Sequence, residues 1–167
     1  MKKFLLLLSV MVLGFTNQAQ ANHEIHVKKT VKINAPASKI WEKVADFGDL
    51  GAWHPAVAKT EIVEGTNNTV GAKRVLTLQD GGKINETLTA YNANAKSMRY
   101  IITESVLPVD HYAATLKVKS MGKGKSVVIW SATFKAKAPA DDKTAKDTIN
   151  GVFDGGLGNL KKTQEAM

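Results

Sequence analysis

Glu86 and Arg74 are the residues of this sequence best suited to chemistry, because hairpin register brings a carboxyl and a guanidinium together on a face that is otherwise apolar. They flank the turn Asp80-Gly81-Gly82. A two- or four-residue loop would put Leu76 and Leu78 on one face with Asn85, Thr87 and Thr89, and the apolar sets would disagree. A three-residue loop with a left-handed glycine instead aligns Arg74, Leu76 and Leu78 with Ile84, Glu86 and Leu88. In that register Arg74 and Glu86 are diagonal neighbours on the buried face, within reach of an ion pair. A buried carboxylate either pairs or gives up its charge. Two readings follow for Glu86: a structural ion pair with Arg74, which we prefer, or a general base for enol or aldol-type chemistry on a bound ketone. His54, between Trp53 and Pro55, is a candidate acid partner, although its plainer role is packing and hydrogen bonding at a helix end.

Other constellations dissolve on inspection. The chain has no cysteine, which excludes a thiolate nucleophile, a disulfide and thioether haem attachment. His23 and His26 fall on opposite faces of a strand, and no other His, Asp or Glu completes a metal-ligand spacing, so neither metal nor cofactor is expected. Asp46-Phe47-Gly48 spells a kinase tripeptide without the loops that would accompany it. Gly122-Lys123-Gly124-Lys125 reads as a hairpin turn.

The elements that position these residues are legible in the periodicity. Residues 25–33 alternate Ile25, Val27, Val31 and Ile33 with His26, Lys28, Thr30 and Lys32, which is a half-buried strand. Pro36 then opens a helix whose apolar face is Ile40, Trp41, Val44 and Phe47, with Asn34 or Ser38 as caps and a stop at Gly48. Asp49 can cap a second short turn, Leu50 to Trp53, which Pro55 ends. Strands follow over residues 57–63, 72–79 and 97–105, with the return strand after Gly82 between the last two. Residues 112–120 and 126–137 make a long closing hairpin, with Tyr112, Ala114, Leu116 and Val118 inward against Val128, Trp130, Ala132 and Phe134. From Asp141 onward the period is helical, with Ala145, Ile149, Val152, Phe153, Leu157 and Leu160 on one stripe. Gly151, Gly155, Gly156 and Gly158 interrupt that helix at about 1 kcal/mol each. They either leave room between helix and sheet or permit close packing or a kink.

Lys2 and Lys3, the apolar run Phe4 to Phe15 and Ala19-Gln20-Ala21 form the pattern of a secretory signal peptide cleaved after Ala21. The run is too short for a membrane anchor, which needs about 20 apolar residues. The expected organisation is a signal peptide, residues 1–21, and one domain, residues 22–167, in the periplasm or secreted. The formal charge is +8. A basic balance suits an acidic partner or a solvated surface. Export argues against nucleic acid, and the lysines are dispersed along strands.

Hairpin-linked strands with segregated helices define an α+β domain. Asn34-Ala35-Pro36, the Ile40-Trp41 helix, Trp53-His54-Pro55, Gly71 with Arg74, Gly81 to Glu86, Trp130, and Gly156-Leu157 with Leu160-Lys161 together resemble the START-like superfamily, and within it the polyketide cyclase/dehydrase group (SRPBCC). The resemblance implies a helix-grip fold: a curved seven-stranded antiparallel sheet around a long C-terminal helix, with two short helices after the first strand. It implies a cavity lined by Trp53, His54, Arg74, Glu86, Tyr100, Tyr112, Trp130, Phe134, Phe153 and Leu157, with residues 35–57 as a lid and Trp53-His54-Pro55 at its rim. The chain is also similar to the MxaD family of periplasmic accessory proteins of bacterial methanol oxidation, thought to assist electron transfer between a dehydrogenase and its cytochrome.

Three functions are thereby expected. The first is binding of an apolar small molecule or lipid, or assistance to a periplasmic dehydrogenase. The second is a cyclase or dehydratase using Glu86, with Arg74 or His54 positioning an oxyanion. The third is a basic interaction module that docks an acidic redox protein. Binding requires an open cavity of several hundred Å3 under the last helix, and filling of that space by Trp130, Phe134 and Phe153 counts against it.

Overall fold

A computed structural model describes residues 23–166; the expected signal peptide, residues 1–21, lies outside them. Seven strands form one antiparallel sheet: β1 (Ile25–Ile33), β2 (Val57–Glu64), β3 (Lys73–Leu78), β4 (Lys83–Asn92), β5 (Ser97–Ser105), β6 (Val109–Gly122) and β7 (Lys125–Ala136). Their order across the sheet is β1-β7-β6-β5-β4-β3-β2. Helix α1 (Ala37–Val44) and a 3-10 turn (Leu50–Ala52) lie between β1 and β2, and α2 (Asp142–Glu165) follows β7. This is the helix-grip architecture. Of the two short helices expected after β1, one is an α-helix and the other a single 3-10 turn.

The sheet curves because its strands are interrupted. Register shifts in β2, β4 and β6 each insert an irregularity that bends a strand and raises its twist. The concave face carries every second residue of β7, with Ser126, Val128, Trp130, Ala132 and Phe134 buried. Helix α2 covers that face with Ala145, Ile149, Phe153, Leu157 and Leu160. The Asp141 carboxylate accepts the Thr144 amide at 2.7 Å and caps the helix. At the β1 edge, Lys29 Nζ reaches Asp154 at 2.8 Å and Lys161 Nζ donates to the Lys32 carbonyl at 3.0 Å. No helix among the described residues is long and apolar enough to cross a membrane.

Two local expectations are corrected. Helix α1 ends at Val44 rather than Gly48, because polar side chains take the backbone out of the helix. Asp46 accepts the Gly48 amide at 2.8 Å, and Asn68, from the β2–β3 connection, accepts the Phe47 amide at 2.9 Å. Phe47 is buried all the same, beyond the helix end. Neither Asn34 nor Ser38 caps α1; the Asn34 amide donates to Glu165 at the other end of the chain, 2.9 Å away.

The second correction concerns the β3–β4 hairpin. Its loop has three residues and a left-handed glycine, as expected, but it is Gln79-Asp80-Gly81, closed by the Leu78 amide on the Gly82 carbonyl at 2.8 Å. Gly81 has φ +86°. Face assignments are unchanged, and Arg74 moves from a diagonal position to one directly opposite Glu86.

Candidate functional site

A chain of aromatic contacts divides the space between sheet and α2. Trp130 on β7 stacks on Phe153 of α2 with ring centroids 4.3 Å apart, and Tyr112 on β6 stacks on Phe134 at 5.9 Å. Tyr112 faces inward because β6 is irregular just before it, where His111 adopts φ +51°. These pairs fill much of the interior. What remains is a cavity of about 80 Å3 beside them, bounded by the 3-10 turn, the β3–β4 hairpin, β5 and α2.

Five residues named from the sequence line this cavity: His54, Glu86, Tyr100, Tyr112 and Trp130. The other five are placed elsewhere. Phe134, Phe153 and Leu157 are core residues, Trp53 packs its ring 5.4 Å from that of Trp130, and Arg74 lies behind Glu86. Neither Trp53 nor His54 stands at the rim: both are buried, and of the two only His54 lines the cavity. The solvent end is marked by lining residues that retain exposure: Ala56, Leu78, Ile102, Leu107 and Val152. The register that paired Arg74 with Glu86 already placed Leu76, Leu78 and Ile84 on this face. Val152 already stood on the apolar stripe of the last helix, whereas Leu107 gave no comparable signal, because its role depends on how a loop meets that helix.

Glu86 forms the polar floor, with Arg74 behind it, the two being 5% and 3% exposed. Arg74 Nε donates to Glu86 Oε2 at 2.6 Å, Nη2 contacts the same oxygen, and Nη1 donates to the Phe47 carbonyl at 2.6 Å. The guanidinium lies over the Phe47 ring at 4.1 Å and near Tyr100 at 5.2 Å. Arg74 therefore fastens the corner after α1 to the sheet. Burial pushes the Glu86 carboxyl above its ordinary range, and the Arg74 charge and hydrogen bond pull it back only in part. Burial also raises Tyr100 and Tyr112, with Glu86 adding to both, so the two phenols stay protonated. Trp130 Nε1 donates to the Tyr100 hydroxyl at 2.8 Å.

His54 is held at both nitrogens. Nε2 donates to the Val152 carbonyl of α2 at 2.9 Å, and Nδ1 accepts the Ala56 amide at 3.3 Å. Gly156 makes this possible, since a Cβ there would lie 2.5 Å from His54 Cδ2 and 3.0 Å from Trp130 Cζ3. Of the four helix glycines it alone meets side chains; positions 151, 155 and 158 face open space. Close packing explains Gly156, and nothing in the structure explains the other three.

Burial is the main cause lowering the His54 pKa, with the Val152 hydrogen bond opposing it. The folded state holds the neutral ring, so stability is full above about pH 6.5 and falls as acid protonates the unfolded chain, with a slope of up to about 1.4 kcal/mol per pH unit until the folded pKa is reached. Urea midpoints at pH 7.5 and 5.5 should show this loss, and His54→Asn should abolish that share of it.

A family described as polyketide cyclase / dehydrase and lipid transport matches residues 24–165. The chain belongs to this family. No curated protein matches it. Among solved structures, a Bacillus cereus protein named XoxI is similar at 27% identity and TM-score 0.77, covering 83% of this chain and 94% of its own. An uncharacterised Bacillus thuringiensis protein aligns at 28% identity and TM-score 0.77, covering 83% of this chain and 98% of its own. A Nitrosospira multiformis protein, 23% identical with TM-score 0.73 over 84% of this chain and 96% of its own, shares the fold. Family membership is compatible with ligand binding between sheet and helix. The open cavity of several hundred Å3 expected under the last helix is absent among the described residues: Trp130, Phe134 and Phe153 fill much of the interior, which counts against a lipid or drug-sized ligand, and the space left is well below the roughly 300–1,000 Å3 of drug-sized sites.

Proposed function

We propose that the protein is exported and binds a small, largely apolar molecule in the cavity under α2 without transforming it. The observation that carries this reading is an aliphatic and aromatic wall interrupted at its floor by Glu86. A volume of about 80 Å3 suits a handful of heavy atoms, since an apolar cavity of about 150 Å3 holds benzene. An acyl chain does not fit in this arrangement. Catalysis is less well supported. Glu86 reaches the cavity and burial raises its pKa, but both His54 nitrogens are engaged and Arg74 does not face the ligand space. Native mass spectrometry of protein taken from the periplasm tests the reading: a small adduct released on unfolding supports it, and protein at its bare mass contradicts it. N-terminal sequencing of the same sample tests export, which predicts a start at Asn22.

A second reading, docking of an acidic protein of the same compartment, is favoured by one observation. The strand order gathers Lys28, Lys32, Arg99, Lys117 and Lys119 on the convex face of β1, β7, β6 and β5. Lys32 and Lys119 flank Val127, and Lys117 sits beside Ile129. None of the five cations has an acidic partner within 4 Å among the described residues. An acidic redox protein is the partner suggested by the similarity to methanol-oxidation accessory proteins. Retention on immobilised polyglutamate should fall with salt, and Lys28→Glu/Lys117→Glu/Lys119→Glu should elute at lower salt than Lys59→Glu/Lys73→Glu/Lys143→Glu, which carries the same charge change on β2, β3 and α2, away from the cluster. Equal elution would sink this reading.

A further inference from the structure

The cavity floor presents one charged acceptor whose hydrogen-bonding capacity is only half used. Both Arg74 contacts run to Glu86 Oε2, and Oε1 has no hydrogen-bond donor among the described residues. Of the nearby N–H groups, Trp130 Nε1 donates to the Tyr100 hydroxyl and His54 Nε2 to the Val152 carbonyl, while Trp53 Nε1 is buried without a partner on a residue that does not line the cavity. Tyr100 and Tyr112 also line the cavity, neither hydroxyl donating to Glu86 among the hydrogen bonds of the described residues, and the aliphatic wall of Leu76, Ile84, Ile102 and Leu107 offers no polar side-chain atom. Oε1 is not among the fully buried atoms left without a partner, and a ligand that supplies a donor to it adds a hydrogen bond to a charged acceptor.

We propose that the cavity selects a neutral molecule of about four to six heavy atoms whose polar group is a hydroxyl or N–H that donates to Glu86 Oε1. The inference rests on the binding reading and narrows it to a ligand class. An anion meets the carboxylate at close range and is rejected. A cation must shed its water in an apolar enclosure whose existing charges already cancel, so it too is disfavoured. A molecule that is only an acceptor sets its lone pairs against Oε1 and gains nothing there.

The test is a pair of near-isosteric five-membered rings. Pyrrole carries an N–H, and furan carries an acceptor in the same place. Titrations of the wild-type protein, followed by methyl NMR at Leu76 and Ile84, should show pyrrole binding on the order of tenfold tighter than furan, with isobutyrate producing no cavity shifts. In Glu86→Gln the amide carbonyl takes the Arg74 contacts and its NH2 group faces the cavity, so the pyrrole preference should collapse to near unity. Equal affinity for the two rings in the wild type overturns the donor inference while leaving the binding reading intact. Absence of cavity shifts with either ring overturns both. The wild-type comparison decides the matter even if the variant does not fold.

Discussion

Replacing Arg74 by alanine should lower the stability of the domain by about 3–5 kcal/mol, the loss expected when one partner of a buried ion pair is removed. The change strands the Glu86 carboxylate in an enclosure it shares with Tyr100 and Tyr112, frees the Phe47 carbonyl, and removes the cation that lies over the Phe47 ring. Glu86 in that variant keeps the burial that raises its pKa and loses the charge that opposed it. The folded state then prefers the protonated acid, and the sign of the pH dependence follows. The penalty is smallest below the unfolded carboxyl value and grows as pH rises through the folded one. Chemical denaturation at pH 4.5 and pH 7.5 should therefore show a smaller deficit, relative to wild type, at the lower pH. The double variant Arg74→Met/Glu86→Leu should recover most of the loss, because well-packed apolar side chains commonly replace a buried pair at little cost. A deficit independent of pH would mean that Arg74 acts through packing alone.

Gly156→Ala should destabilise by about 1–3 kcal/mol, the usual cost of overpacking, even though alanine is the better helix former. The new methyl would meet His54 at 2.5 Å and Trp130 at 3.0 Å, and the imidazole would have to release the Val152 carbonyl. Ala substitutions at Gly151, Gly155 and Gly158 meet nothing within 4 Å and should each raise stability by up to about 1 kcal/mol. Opposite signs along one helix distinguish close approach from a general demand for flexibility. The double variant His54→Ala/Gly156→Ala should cost less than the sum of its singles, because the first change clears the space the second needs.

Strand alternation made the inner and outer faces legible, and the parity of residues on either side of the β3–β4 turn was enough to bring Arg74 and Glu86 together. Both are local properties of a chain segment. Features set by distant segments were harder to read. Helix α1 stops at Val44 because Asn68 reaches the Phe47 amide, and no pattern near residue 44 announces that. The cations of the convex face looked dispersed in sequence, yet β1 and β7 are neighbours although about a hundred residues separate them, so Lys32 and Lys119 flank the same valine. Cavity size was least accessible. Strand parity placed Trp130 and Phe134 inside and the helical stripe placed Phe153 there, but only their stacking geometry reveals that they occupy space a larger ligand would need.

The central claim is that the space beside Trp130 is a binding site rather than a packing defect. Val152 lines it from α2 and retains exposure at its solvent end, so Val152→Trp should fill the mouth without touching the Arg74–Glu86 pair. Native mass spectrometry of wild type and Val152→Trp, each isolated from native cells with unchanged circular dichroism, tests the claim most directly. A small adduct on the wild type that is lost in Val152→Trp is the result expected. Bare protein in both samples, or the same adduct on both, would contradict it.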